Sequence, residues 1–91
     1  MARSALQIIQ LMLEELLKSG DEGLVKSKLY KRLNLRTSIG EKYLQSLIDA
    51  GYISLTIEPW GKKREKHVVR IEKKGKARFE WFLRLNNELD I

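Results

Sequence analysis

The hydrophobic period of this chain changes at Gly51, and that change limits what the chain can fold into. Before the glycine, Ile39, Tyr43, Leu44, Leu47 and Ile48 fall on one side of a helix drawn at about 100° per residue. After it, Ile53, Leu55 and Ile57 alternate with Ser54 and Thr56, the period of a strand with one buried and one polar face. Gly51 itself suits the left-handed stop of the helix. Helix and strand therefore share one small unit, an α+β arrangement.

The elements on either side extend this pattern. Leu6, Ile9, Leu13, Leu16 and Leu17 have helical spacing over residues 4–18 behind a Ser4 cap, and the Gly20–Gly23 stretch ends that helix. Leu24 and Val25 suit a very short strand. Ser27 is the expected cap of a second helix running to about Leu33, with Leu29, Tyr30 and Leu33 inward, and Asn34–Thr37 is the following turn. Ser38 and Glu41 have the spacing of a capping box and predict the start of a third helix over about 38–50. Gly40 lies on the buried side of that helix, which predicts close approach by a neighbouring helix.

Pro59, Trp60 and Gly61 open a turn expected to continue through Lys66, and a second strand is expected from about His67 to Ile71. A last helix over about 73–89 places Ala77, Trp81, Phe82, Leu85 and Leu89 on one expected core face, with Phe79 and Leu83 on a separate flank.

Ninety-one residues are few for a self-sufficient core, and the chain reads as one domain over 1–91. Apolar positions on the first and last helices exceed what one such domain covers. They predict a homodimer through Ile8, Leu11, Met12, Phe79 and Leu83. The absence of cysteine removes disulfides and thiolate metal sites. Gln7, Gln10, Glu14 and Glu15 interrupt the apolar N-terminal residues, so no membrane span is expected and the chain reads as cytoplasmic.

Charge is concentrated. Six basic residues against one acidic lie within 24–46, and nine against two within 62–78, while every other segment is net acidic. Lys and Arg gathered on two elements are the footprint of a polyanion, since each phosphate neutralised releases counterions. The order of capped helix, glycine stop, strand, basic turn, strand and helix is that of a winged helix-turn-helix: a three-helix core, a two- to three-stranded antiparallel wing over about 52–72, and an added C-terminal helix.

Two segments, SIGEKYLQSLIDAGYISL and RIEKKGKARF, carry a resemblance to the small winged-helix transcription regulators, particularly the short versions of archaea and their viruses, with a general similarity to the MarR and PadR groups. The first is similar to the family's recognition helix leading into a strand. The second is similar to its usual entry into the last helix, with Glu72 standing where the family usually has a threonine cap. The resemblance implies double-stranded DNA as partner and implies no particular effector.

In the helix-turn-helix mode, side chains near the N-terminus of the third helix reach base edges in the major groove. Thr37, Ser38, Glu41, Lys42, Gln45 and Ser46 are the candidates; Gln45 suits adenine and Lys42 suits guanine. Lys26, Ser27, Lys28, Lys31 and Arg36 suit phosphates, which set register without reading sequence. On the wing, Trp60, Lys62, Lys63, Arg64 and Lys66 suit the backbone or minor groove, with Arg64 best suited to a narrow groove. Trp60 either stacks on a sugar or base or packs against the hairpin stem, and packing is the expectation. His67 reads as structural or as a phosphate contact.

Catalysis finds no support. One histidine, no cysteine and no glycine-rich phosphate loop leave no metal, cofactor or nucleophile constellation. Three readings stay open: a sequence-specific regulator, an architectural protein coating DNA through charge and shape, and a protein-docking module.

Overall fold

The computed structural model describes residues 4–89. Helix α1 (Ala5–Ser19) begins in a capping box: the Gln7 amide N–H donates to Ser4 Oγ (3.2 Å) and the Ser4 N–H donates to Gln7 Oε1 (2.8 Å). A 3-10 turn over Gly20–Glu22 leads into strand β1 (Leu24–Val25) and helix α2 (Lys26–Arg32). Helix α3 (Thr37–Asp49), strands β2 (Ile53–Trp60) and β3 (Arg64–Ile71), and helix α4 (Lys73–Leu89) complete the chain.

The sheet is antiparallel in the order β1-β3-β2, so β3 is central. Strand β1 pairs only at Leu24↔Val69 and Val25↔Val68, whereas β2 follows β3 from Ile53↔Ile71 out to Trp60↔Arg64. Past Val68 the hairpin continues as a two-stranded ribbon. Pro59, which has no N–H, is accommodated because β2 is an edge strand.

All four helices and the sheet contribute to one core. Met12, Leu13 and Leu16 of α1 meet Leu29 of α2 and Leu33 just after it, Leu44 and Leu47 of α3, Ile53, Val69 and Ile71 of the sheet, and Phe79 and Phe82 of α4. Gly40 is buried, as its place on the helical wheel predicts: a Cβ there would lie 2.6 Å from the Tyr30 ring, so α2 and α3 approach closely only because the side chain is absent. A Cβ at Gly75 would collide with the Tyr52 carbonyl oxygen, and α4 therefore lies directly on the backbone leaving α3.

Several local expectations are corrected. Helix α2 starts at Lys26 from an extended Val25 without a side-chain cap, because β1 runs straight into it; Ser27 sits inside its first turn. Helix α3 starts at Thr37 with Arg36 in the cap position and no side-chain cap, so Ser38 and Glu41 form no capping box. Asn34 takes a left-handed φ of 54° and the Leu35 N–H donates to the Tyr30 carbonyl (2.8 Å), which completes the turn before Ser38 is reached. Ile39, expected inside, is exposed, and Tyr43 and Ile48 are half-buried.

The hairpin is longer and its turn tighter than expected. Arg64, Glu65 and Lys66 belong to β3, and only Gly61, Lys62 and Lys63 turn the chain. Ile57 keeps the strand alternation but is 58% exposed, because the ribbon has already left the core at that point.

On α4 the buried face is Gly75, Phe79 and Phe82, not the face containing Ala77 and Trp81. The contact at Gly75 sets the rotation of the helix. Four of the five residues expected between copies are used within the chain: Ile8, Met12 and Phe79 are core residues, and Leu11 packs against the core. Leu83 is exposed, and with Leu6, Leu17, Trp81 and Leu89 it makes up the apolar surface left on α1 and α4.

Candidate nucleic-acid interface

The exposed side of α3 carries Thr37, Ser38, Lys42, Gln45 and Ser46, all open to solvent, because its opposite side is held in the core by Gly40, Leu44 and Leu47. These side chains differ chemically and are partly ordered. Gln45 Nε2 donates to Asp49 Oδ1 (2.8 Å), which leaves the amide oxygen and one N–H available to another partner. Ser46 Oγ donates to the Lys42 carbonyl (3.1 Å), and the Lys42 ammonium lies 5.8 Å from the centre of the Tyr43 ring.

Helix α2 adds cations beside the start of α3. Lys26, Ser27, Lys28, Lys31, Thr37 and Glu41 line one open groove of about 410 Å³, with Tyr30 and Leu35 contributing to its wall. Ser27, Lys28, Lys31 and Arg36 are exposed, whereas Lys26 is half-buried and donates to Glu41 Oε1 at 2.5 Å. The Lys26–Glu41 pair alters two expected roles: the lysine is engaged within the protein, and the carboxylate of α3 is neutralised at its own helix.

Tyr30 lies behind that pair. Among the described residues its hydroxyl is the one buried side-chain polar atom with no well-formed hydrogen bond. Burial first, then the charge of the Glu41 carboxylate and its loose approach to the hydroxyl, push the phenol up to about 12.

The wing begins close to α2. Lys66 and Lys28 line a shared depression of about 380 Å³ with Val25 and Val68. Further out, Trp60, Lys62, Lys63 and Arg64 are exposed, and the Arg64 guanidinium lies 5.9 Å from the centre of the Trp60 ring. The indole is 59% exposed, so the expectation that it packs against the hairpin stem is corrected: the ribbon is two strands wide there and offers no surface to cover it.

Two groups of residues have no counterpart among the sequence expectations. Arg70, on the polar face of β3, donates through Nε to the Asp21 carbonyl (2.9 Å) and through NH1 to Thr56 Oγ1 and Glu58 Oε2 (both 2.9 Å). It ties the turn before β1 to the root of the wing. Hydrogen bonds from Arg70 and Thr56 hold the Glu58 carboxyl below its usual value. At the far end of α3, Lys74 donates to the Ala50 carbonyl (2.6 Å), a cation placed where the helix dipole is negative. Neither group has a sequence signal, since the partners are distant along the chain.

Among the described residues there is no group of His, Cys, Asp and Glu able to hold a metal ion, and no helix is long and apolar enough to cross a membrane.

Helices α2 and α3 joined by a tight turn, with a basic hairpin following, agree with comparison to known proteins, where a model of the winged helix-turn-helix matches residues 2–89. The chain belongs to the winged helix-turn-helix family. A solved structure of a possible transcriptional regulator from Methanosarcina mazei Go1 is similar to this winged helix with a TM-score of 0.62 at 18% identity, covering 99% of this chain and 78% of that one. At that identity the likeness concerns the fold. No curated protein matches this winged-helix chain. In this family's architecture α2–α3 form the helix-turn-helix and β2–β3 the wing, and DNA binding is the chemistry their exposed residues fit.

Proposed function

We propose that this winged-helix protein is a sequence-specific, double-stranded DNA-binding transcription regulator. In this reading it acts as a homodimer, with α3 in the major groove and the wing on the backbone or minor groove. The observation that carries the proposal is the exposed side of α3, where Thr37, Ser38, Lys42, Gln45 and Ser46 present donors and acceptors of several kinds between two basic elements. A surface that only neutralised phosphates would need cations alone; mixed amide, hydroxyl and ammonium groups on one helix face suit base edges.

Lys28, Lys31 and Arg36 beside that helix, and Lys62, Lys63 and Lys66 on the wing, supply the sequence-independent part of the affinity. Pairing of two copies is assigned to the apolar residues that α1 and α4 leave uncovered, chiefly Leu6, Leu17, Trp81 and Leu83.

The test is a fluorescence-anisotropy titration of a mixed-sequence duplex of about 30 base pairs at several salt concentrations, followed by selection of a preferred site. A steep fall of affinity with salt and a site preferred by about a thousandfold support the regulator. Equal affinity for every duplex would leave an architectural role, and no binding at low salt would remove DNA from the account.

A further inference from the structure

We propose that Trp60, with Arg64 beside it, is a wedge that the wing inserts at a base step in the minor groove, bending the duplex beside the site read by α3. The inference rests on the DNA-binding reading above and adds to it a contact, a groove and a deformation.

The starting observation is an indole without cover. Trp60 is 59% exposed and Pro59 is exposed beside it, at the end of a ribbon that passes beyond β1 at Val25↔Val68. A single exposed aromatic would mean little by itself, but this one sits at a protruding tip among cations, where it serves no core and is open to a partner. The surrounding charge narrows what that is. Lys62, Lys63, Arg64 and Lys66 share the end of the hairpin with the indole, against Glu65 and against Glu58, whose charge Arg70 already takes, so the cover is anionic. A second copy of this chain, bringing the same cations to the same place, would be repelled. A partner with dense negative charge and flat apolar surfaces between the charges is a nucleic acid.

The geometry suits a wedge better than a flexible contact. Trp60 and Arg64 are the last paired residues of the ladder, on either side of a turn in which Gly61 takes a φ of 77°. The guanidinium, 5.9 Å from the ring centre, lies on one side of the indole and brings a cation to the place where it would enter. Behind them, on the same face of β2, Glu58 and Thr56 are fixed by Arg70, whose Nε also holds the Asp21 carbonyl, so the ribbon is braced against the body of the domain. Arginine favours a narrow minor groove, and an apolar side chain inserted there unstacks a base step and kinks the duplex, most cheaply at pyrimidine–purine steps.

The experiment uses the W81F protein, in which Trp60 is the only tryptophan of the original two, after its size in solution and its affinity for the duplex have been matched to those of the natural chain, because Trp81 lies on the proposed pairing surface. Its probe is an AT-rich duplex of about 30 base pairs with a central TA step and a dye at each end. Binding is followed by anisotropy, stacking by quenching of Trp60 emission and by acrylamide access, and bending by energy transfer between the dyes. The expected result is quenching, a severalfold fall in acrylamide access and a shorter end-to-end distance at saturation. Adding W60A should abolish the bend and lower affinity roughly tenfold, and W60F should retain most of both. Thermal melts matching that of W81F establish that these variants fold.

A saturated complex with Trp60 still open to acrylamide and an unbent duplex overturns the wedge and leaves the DNA-binding reading standing. No anisotropy change at low salt overturns both. Trp60 emission that shifts with phosphatidylglycerol vesicles and not with duplex would make the tip a membrane contact, and the wedge would again fall.

Discussion

Lys26 of α2 and Glu41 of α3 meet at 2.5 Å across the joint of the helix-turn-helix, in the groove where α3 begins. The pair holds the two helices together and also cancels a negative charge at the surface proposed to face phosphate. The two effects are separable. Glu41→Gln should lower stability by less than about 1 kcal/mol in urea denaturation, as for other partly exposed pairs, while strengthening binding to duplex of any sequence by freeing Lys26. Unchanged affinity at low salt would mean that the groove does not face DNA.

Gly40 is the steric counterpart of that pair. A methyl at this position enters the Tyr30 ring, which is itself buried and has little room to move. Gly40→Ala should therefore cost about 1–3 kcal/mol, read as a lower urea midpoint with an unchanged slope, although alanine is the better helix former. A neutral result would show that α2 can move away from α3 freely.

The Tyr30 phenol gives a pH signature. Its value is raised to about 12 in the folded chain, above an unfolded value near 10. The folded state therefore favours the neutral phenol. That contribution is complete below about pH 10, declines as pH rises toward 12 and is gone above it. An absorbance titration should show one late tyrosine ionisation, lost in Tyr30→Phe. Because the hydroxyl has no well-formed partner, the same substitution should leave stability equal or raise it by up to about 1 kcal/mol.

Arg70 and Glu58 predict the opposite pH sense. A carboxyl held below its usual value stabilises the fold above that usual value and loses the contribution as pH falls through the depressed one. The stability difference between the natural chain and Glu58→Gln should be largest near neutrality and vanish in acid. Arg70→Ala, with Asp21, Thr56 and Glu58 all released, should raise amide hydrogen exchange over the root of the wing and leave exchange in α1 unchanged.

Gln45 tests base reading directly. With its amide already oriented by Asp49, Gln45→Ala should shift the preferred base at one position, a discrimination of about 1–3 kcal/mol, while altering affinity for unrelated duplexes little. Equal losses on every duplex would assign Gln45 to general affinity.

Residue patterns made much of this readable in advance, and the failures are instructive. The change of period at Gly51, the buried place of Gly40 and the concentration of lysine and arginine all refer to single elements, which local spacing describes well. The pattern Ser-x-x-Glu at Ser38 and the pattern Ser-x-x-Gln at Ser4 look alike in sequence, yet only Ser4 caps its helix. At the other site Lys26, distant along the chain, takes the carboxylate, and a left-handed Asn34 completes the turn early. The buried face of α4 was unreadable for a similar reason. Apolar residues run around most of that helix, and the decision between faces lies with Gly75 against the Tyr52 carbonyl. Ile57 alternates correctly, but no alternation reports where a ribbon leaves its core.

That last backbone contact also bears on assembly. Gly75 against Tyr52, the Glu72 N–H donating to the same carbonyl (2.9 Å), Lys74 bound to Ala50 and Arg78 bound to the Tyr52 hydroxyl (3.1 Å) leave the exit of α3 and the entry of α4 little freedom to turn independently. The two helices behave as arms of one bracket. In the proposed homodimer, pairing through α4 would carry the direction of α3 with it, so the angle at this joint would set the distance between the two copies of α3, and a change at Gly75 would alter which spacing of DNA half-sites they can span.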